Sequence, residues 1–237
     1  MHRWFMPLFC ALVALPVLSA TPQWSGSITA TSNYLLRGTS RNYNDPALSA
    51  EIHAEFSPGL FASLWASSTR LRAVDPVTAE LAGTLGYTGR INEGWSWVGS
   101  YTHYETPWSG DALEYSYDEF TLDLDWRERL LLSVSWSPNT TRFAPAYGWV
   151  RNGRAVAWEA GYQQELVPNL RAYAGAGYYD LSDLFGSGYW YGSLGLGWTW
   201  RRWQLDASYV LPGDAARRLS YPGIARRRAV ASLSFNF

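Results

Sequence analysis

The chain has 237 residues, with 14 Trp, 16 Tyr and 9 Phe, yet only 16% of its residues are charged, against roughly 25% in a soluble globular domain. Its basic residues, all arginine, nearly balance its acids to a formal net charge of −1, which excludes a broad electrostatic attraction to nucleic acid. So many amphipathic rings need a half-wet place, which a membrane interface or an aromatic-rich soluble β-protein provides.

The first segment predicts export. Arg3 precedes an apolar stretch from Trp4 to Leu18, followed by Ser19-Ala20 and polar Thr21-Pro22-Gln23. A positive start, an apolar middle and small residues at the end are the pattern of a signal peptide, here over 1–20, leaving a domain over 21–237. The stretch is short for a bilayer-spanning helix. The sole cysteine, Cys10, lies inside it, so the exported chain has no thiol, disulfide or cysteine-metal site. No later segment reaches the ~20 apolar residues of a membrane helix, so any crossing is made by strands.

Strand patterning begins at once and recurs throughout, with no long helical period. The first predicted strand covers 24–37 and the second 46–56. In the second, Leu48, Ala50, Ile52, Ala54 and Phe56 share one face, and Ser49, Glu51, His53 and Glu55 share the other. This period of two is the strand signature. A third strand follows at 60–69.

The opening stretch carries a family likeness. Gly26-Ser27-Ile28-Thr29-Ala30-Thr31-Ser32-Asn33-Tyr34-Leu35-Leu36-Arg37-Gly38-Thr39-Ser40, then Asp45-Pro46-Ala47-Leu48, resembles the start of the TorF family of porins. Gly59-Leu60-Phe61-Ala62-Ser63-Leu64-Trp65-Ala66-Ser67 is similar to the family's next strand. Asn33 and Ser63 stand where the family commonly has Asp and Gly. The resemblance covers about the first 50 exported residues. It implies a proteobacterial outer-membrane barrel and a pore, with no substrate named.

The remaining predicted strands are 78–90, 95–104, 114–126, 129–137, 154–165, 170–180, 189–200, 203–211 and 228–237. Phe120, Leu122, Leu124 and Trp126 oppose Thr121, Asp123 and Asp125. Leu130, Leu132, Val134 and Trp136 oppose Leu131, Ser133, Ser135 and Ser137. Trp203, Leu205, Ala207, Tyr209 and Leu211 oppose Gln204, Asp206 and Ser208. The strands at 95–104 and 170–180 carry rings on both parities, so their facing stays open. The last strand sets Ala229, Ala231, Leu233, Phe235 and Phe237 against Val230, Ser232, Ser234 and Asn236. A terminal Phe on such a strand resembles the assembly signal of bacterial outer-membrane proteins. That likeness implies recognition of Leu233, Phe235 and Phe237 by the barrel assembly machinery.

Connection lengths alternate strictly. Short turns fall at Ser57-Pro58-Gly59, Ile91 to Gly94, Arg127-Glu128, Leu166 to Asn169 and Arg201-Arg202. Long loops fall near 38–45, 70–77, 105–113, 138–153, 181–188 and 212–227. That alternation predicts an all-β, up-and-down antiparallel transmembrane barrel of twelve strands, with short periplasmic turns and long extracellular loops. The apolar parity places Trp24, Tyr34, Phe56, Tyr87, Trp126, Trp136, Trp158, Tyr162, Trp198, Trp200, Trp203, Tyr209 and Phe237 near strand ends, as two aromatic girdles.

The opposite parity then lines the lumen with Arg37, Glu51, His53, Glu55, Glu80, Arg90, Glu119, Asp123, Asp125, Glu159, Gln163, Arg171, Gln204 and Asp206. Acids outnumber arginines there, which favours cations. The expected function is an outer-membrane, porin-like channel for small solutes or ions. The alternative is a non-conducting structural or adhesive barrel whose lumen charges only pair. Twelve strands fall between a filled and an open interior, so a narrow or loop-plugged pore is expected. An enzyme is not expected. The one hydrolase alternative is a loop-end site at His103, with Glu105, Asp111 and Asp118 near in sequence. No cofactor or metal-ligand spacing is present. Arg217-Arg218 and Arg226-Arg227-Arg228 flank the last long loop, where lipopolysaccharide phosphates or plain solvation would meet them.

Overall fold

The computed structural model describes residues 21–56, 58–70, 76–107, 116–144 and 149–237. The predicted signal peptide at 1–20, and Asp111 with it, lie outside the described residues. In chain order the elements are β1 (Gln23–Thr31), a two-stranded ribbon of β2 (Leu35–Leu36) and β3 (Thr39–Ser40), β4 (Ala47–Phe56), β5 (Leu60–Thr69), β6 (Thr78–Arg90), β7 (Trp95–Glu105) and β8 (Tyr117–Trp126). They continue with β9 (Leu130–Ala144), β10 (Trp149–Val167), β11 (Leu170–Asp180), α1 (Ser182–Phe185), β12 (Tyr189–Trp200), β13 (Trp203–Pro212), α2 (Asp214–Leu219) and β14 (Arg228–Asn236).

β1 and β4 to β14 form one closed antiparallel barrel of twelve strands, each paired with its sequence neighbours. Among the described residues no helix is long and apolar enough to cross a membrane. A strand with alternating faces must bury one of them, and a closed sheet offers two surroundings at once. Cross-strand pairing keeps the parities separate around the wall. Ser27, Glu51, Trp65, Ala82, Tyr104 and Tyr117 are successive partners on the lumen side. On the outside, Ile28 pairs with Ala50, Ile52 with Leu64 and Leu124 with Leu132. The outer face exposes Trp24, Leu64 and Trp190 at 65%, 67% and 66%. An apolar surface extending right round the barrel is covered by lipid, not water.

The two strands of open facing resolve through the same register. On β7 the rings of Trp97 and Tyr101 face outward, packed on Tyr87 and Phe120, while Tyr104 faces inward. On β11 Tyr178 packs outside against Trp190, and Tyr173 and Tyr179 face the lumen.

The closing seam joins β1 to β14. Gly26 N donates to the Phe237 carbonyl at 2.9 Å, and Phe237 N donates back at 3.0 Å. A Cβ on Gly26 would stand 2.7 Å from the Phe237 ring. Only glycine leaves room for that ring to lie over the seam. The short-turn end is tight: Arg129 N donates to the Trp126 carbonyl at 3.0 Å around Arg127 (φ 52°) and Glu128 (φ 57°). This mirror-image turn matches strand twist but normally carries Asn or Gly. Here Asp125 Oδ1 accepts Glu128 N at 2.8 Å, and the Gly94 carbonyl accepts Arg127 N at 2.9 Å.

Three expectations change. The predicted strand 24–37 leaves the wall after Thr31, because the chain turns inward there. Tyr34 accordingly is not in an outer girdle; its ring lies inside, 5.5 Å from Trp65. The loop predicted at 138–153 is largely sheet, since β9 and β10 pair from Tyr162 with Leu130 up to Trp149 with Ala144 through a bulge near Gly153. At ~3.3 Å per residue, the 19 residues of β10 reach about 60 Å, so the hairpin rises well beyond an apolar band about 25 Å tall.

Candidate functional site in the barrel lumen

The turn after Thr31 is written in small polar residues. Asn42 Oδ1 accepts Tyr34 N at 3.2 Å, Tyr34 O accepts Arg41 N at 2.8 Å, and Ser40 Oγ lies 2.8 Å from Asn33 Oδ1. Arg37 (φ 49°) and Gly38 (φ 77°) turn the ribbon at its tip. These bonds make the first loop, 32–46, a compact unit that satisfies its own backbone and enters the barrel instead of rising from it. Asn33, Arg37, Thr39, Ser40 and Asn42 are all buried.

Two buried ion pairs fix the loop to one wall, and a more exposed one joins Asp45 to Arg70 at 2.8 Å. Arg41 Nη2 lies 2.9 Å from Glu80 Oε1, and its Nε lies 3.3 Å from Glu80 Oε2. Arg37 Nη2 donates to Glu119 Oε2 at 2.7 Å. The tip reaches the other wall. The Arg37 guanidinium carbon sits 4.6 Å from the centre of the Tyr179 ring, and Gly38 abuts Tyr191, where a Cβ would come within 2.8 Å of the Tyr191 Cβ. Above the loop, Ser40 N donates to the Ile224 carbonyl at 3.0 Å. Leu181 and Leu184 of the α1 segment and Ala216 and Ala225 of the last long loop cluster on Ala155, Ala157, Tyr179 and Tyr189. The long-loop half of the lumen is therefore packed.

The short-turn half is hollow. A cavity of ≈ 560 Å³ is lined by Asp125, Gln163, Arg171, Tyr173, Gln204 and Asp206, among others. Arg171 Nη2 lies 3.0 Å from Asp206 Oδ1, and Gln204 Nε2 donates to Asp206 Oδ2 at 2.6 Å.

Every residue predicted to line the lumen lies on the lumen parity, except that Arg37 arrives on the loop instead of a strand. Glu51, His53 and Glu55 face inward on β4, and His53 stacks on Phe61 at 5.2 Å. Arg90 stands at the short-turn rim opposite Ser96, and Asp123 opposite Ser133. Glu159 accepts the Tyr191 hydroxyl at 2.7 Å. Among the described residues, Glu80, Glu119 and Asp206 have arginine partners, whereas Glu51, Glu55, Asp123, Asp125 and Glu159 have none within ion-pair distance. The sequence reading missed Arg41, Trp65, Tyr104, Tyr117, Tyr179 and Tyr191. The four tyrosines had one cue, their place at long-loop strand ends on the lumen parity; Arg41 and Trp65 had none.

His103 faces outward. Its Nδ1 lies 2.8 Å from Asp118 Oδ1, to which the Tyr101 hydroxyl also donates at 2.6 Å, and Asn139 Nδ2 donates to Oδ2 at 2.9 Å. The structure thus brings together His103 and Asp118 of the predicted loop-end set, with both carboxylate oxygens already engaged. Leu233, Phe235 and Phe237 lie on the outer parity, with Phe235 4.9 Å from Trp203.

Residues 19–231 match the model of a family described as "Bacterial protein of unknown function (Gcw_chp)". No curated protein matches the chain by sequence. Among solved structures, the KdgM porin in complex with disordered oligogalacturonate aligns with a TM-score of 0.54 at 11% identity, over 90% of this chain and 99% of that one. The NanC porin aligns with a TM-score of 0.54 at 8% identity, over 89% and 97%. At such identities the likeness is one of fold.

Proposed function

Since the chain belongs to the Gcw_chp family of bacterial proteins and folds as a closed twelve-stranded barrel, we propose that it is an outer-membrane channel for small solutes or ions, with a lean towards cations. One observation carries this reading: an apolar outer wall encloses a lumen whose unpaired charges are mostly carboxylates. Carboxylate-lined pores favour cations. The porin fold of KdgM and NanC and the TorF-like opening support it.

In this reading a signal peptide is cut near Ala20 and the barrel assembly machinery reads Leu233, Phe235 and Phe237. The short turns face the periplasm and the long loops the outside. Arg218, Arg226 and Arg227 at the outer end meet lipopolysaccharide phosphates, charge against charge. The His103–Asp118 pair is an interfacial contact, because Tyr101 and Asn139 hold the same carboxylate. The packed outer half favours a second reading, a barrel that never conducts.

Purified barrel in planar bilayers tests this. Discrete current steps, with a reversal potential in a salt gradient that favours the cation, are expected. A folded barrel that never conducts establishes the structural reading, and an anion preference removes the selectivity.

A further inference from the structure

Arg37 is held like a bound ligand. Its guanidinium is almost wholly enclosed, with one carboxylate, Glu119, at 2.7 Å and one aromatic face, Tyr179, at 4.6 Å. Tyr117 stands two residues before Glu119 on the same lumen face of β8 and is buried, and Tyr191 packs on the adjoining Gly38. A carboxylate with aromatic faces is the general recognition element for guanidinium and alkylammonium groups. These wall groups come from β8, β11 and β12, strands remote in sequence from the loop that fills them.

The tethered arginine fits this enclosure incompletely. Its Nε is buried with no hydrogen-bond partner among the described residues. A buried donor left unpaired costs free energy, and a buried ion pair is by itself a weak source of stability. The loop meanwhile keeps its shape through Asn33, Ser40 and Asn42, which do not depend on Arg37. The cage and its occupant are therefore separable. A free solute, unconstrained by a backbone, can place all its donors where the tethered side chain cannot.

We propose that Glu119, Tyr179, Tyr117 and Tyr191 form a binding site for small organic cations bearing a guanidinium or primary ammonium group, and that Arg37 is its built-in competitor. This names the solute class of the channel and so rests on that reading. The site sits where the loop closes the lumen, so a solute that takes the cage displaces the loop tip. The permeant cation thereby opens its own path.

Agmatine is the probe, with urea as the uncharged control of similar shape, measured by titration calorimetry on the folded barrel in detergent. Arg37→Ala should bind agmatine saturably and at least tenfold more tightly than the unmodified chain. Urea should not bind, and Arg37→Ala with Glu119→Gln should lose the gain. Gly38→Val empties the cage by a second route, since its side chain meets Tyr191, and should show the same gain. Heat-modifiable migration on gels confirms that each variant is a folded barrel. Agmatine binding that is equal in the unmodified chain and both emptied variants, or that survives Glu119→Gln, overturns the proposal. Calorimetry needs no current: binding without conduction keeps the cage and removes the channel, whereas conduction without binding does the reverse.

Discussion

The outer and inner halves of the lumen are made by the same strands and the same alternation, yet one is packed and the other is hollow. In the outer half, Glu80 and Glu119 each meet an arginine from the first loop, and Tyr34, Trp65, Tyr179 and Tyr191 fill the space around it. In the inner half Gly161 and Gly175 line the cavity beside the partly buried pair of Arg171 and Asp206. A twelve-stranded wall falls between one that its own side chains fill and one wide enough for an open aqueous channel. What it becomes at each level depends on whether another segment enters it. Charge pairs of the same chemistry then have different energetic meaning above and below the loop.

The largest expected effect breaks the packed half. Glu80→Leu leaves the enclosed Arg41 without its carboxylate, and removing one partner of a buried pair costs about 3–5 kcal/mol. That exceeds what a 15-residue loop can absorb locally, so residues 32–46 should lose amide-exchange protection while the barrel strands keep theirs. Full protection of the loop in this variant would mean that the ion pair does not hold it.

Tyr191→Phe is smaller. It removes the donor to Glu159 and should loosen the same half by about 1.5–3 kcal/mol, read as a lowered unfolding midpoint. At the inner end, Glu128→Gly relieves a left-handed residue in the turn and should raise stability by about 1 kcal/mol, measured in the same way. The smallest change in stability belongs to the hollow half. Asp206→Asn weakens a pair that is only partly buried and faces the open cavity, so it should cost no more than about 1 kcal/mol. It should instead shift the reversal potential away from cations, because Arg171 then faces the lumen uncompensated. A large loss of stability in Asp206→Asn would erase the distinction between the halves.

Much of this architecture was legible in the residues. Alternation from Leu48 to Phe56, the pairing of Arg127-Glu128 with Arg201-Arg202 as turns, and the acids at Glu51, Asp123 and Asp206 all follow from period two and turn chemistry. The loop was not legible, for a physical reason. Ser32, Tyr34 and Leu36 continue the alternation of β1, so the pattern reads as strand even though Thr31 ends the wall. Whether a loop folds in or out is decided by partners such as Glu80 and Glu119, which no local window contains. The same limit hid the rise of β9 and β10: Pro138 and Gly153 are loop-forming residues by composition, yet Gly153 pairs with Thr140 and Pro138 falls at the bulge, so the ladder carries on past both.

The bonds exchanged by Gly26 and Phe237 have a consequence for the chain's connectivity. Both ends of the barrel meet at one rim, a hydrogen bond apart, so the fold is a ring broken at a single arbitrary point. A short linker from Phe237 to Gln23, with new ends cut between Arg201 and Arg202, should give a circular permutant with the same wall. The aromatic strand β14 would then sit mid-chain, and a permutant that still folds would show that closure of the wall does not depend on the order in which its strands occur.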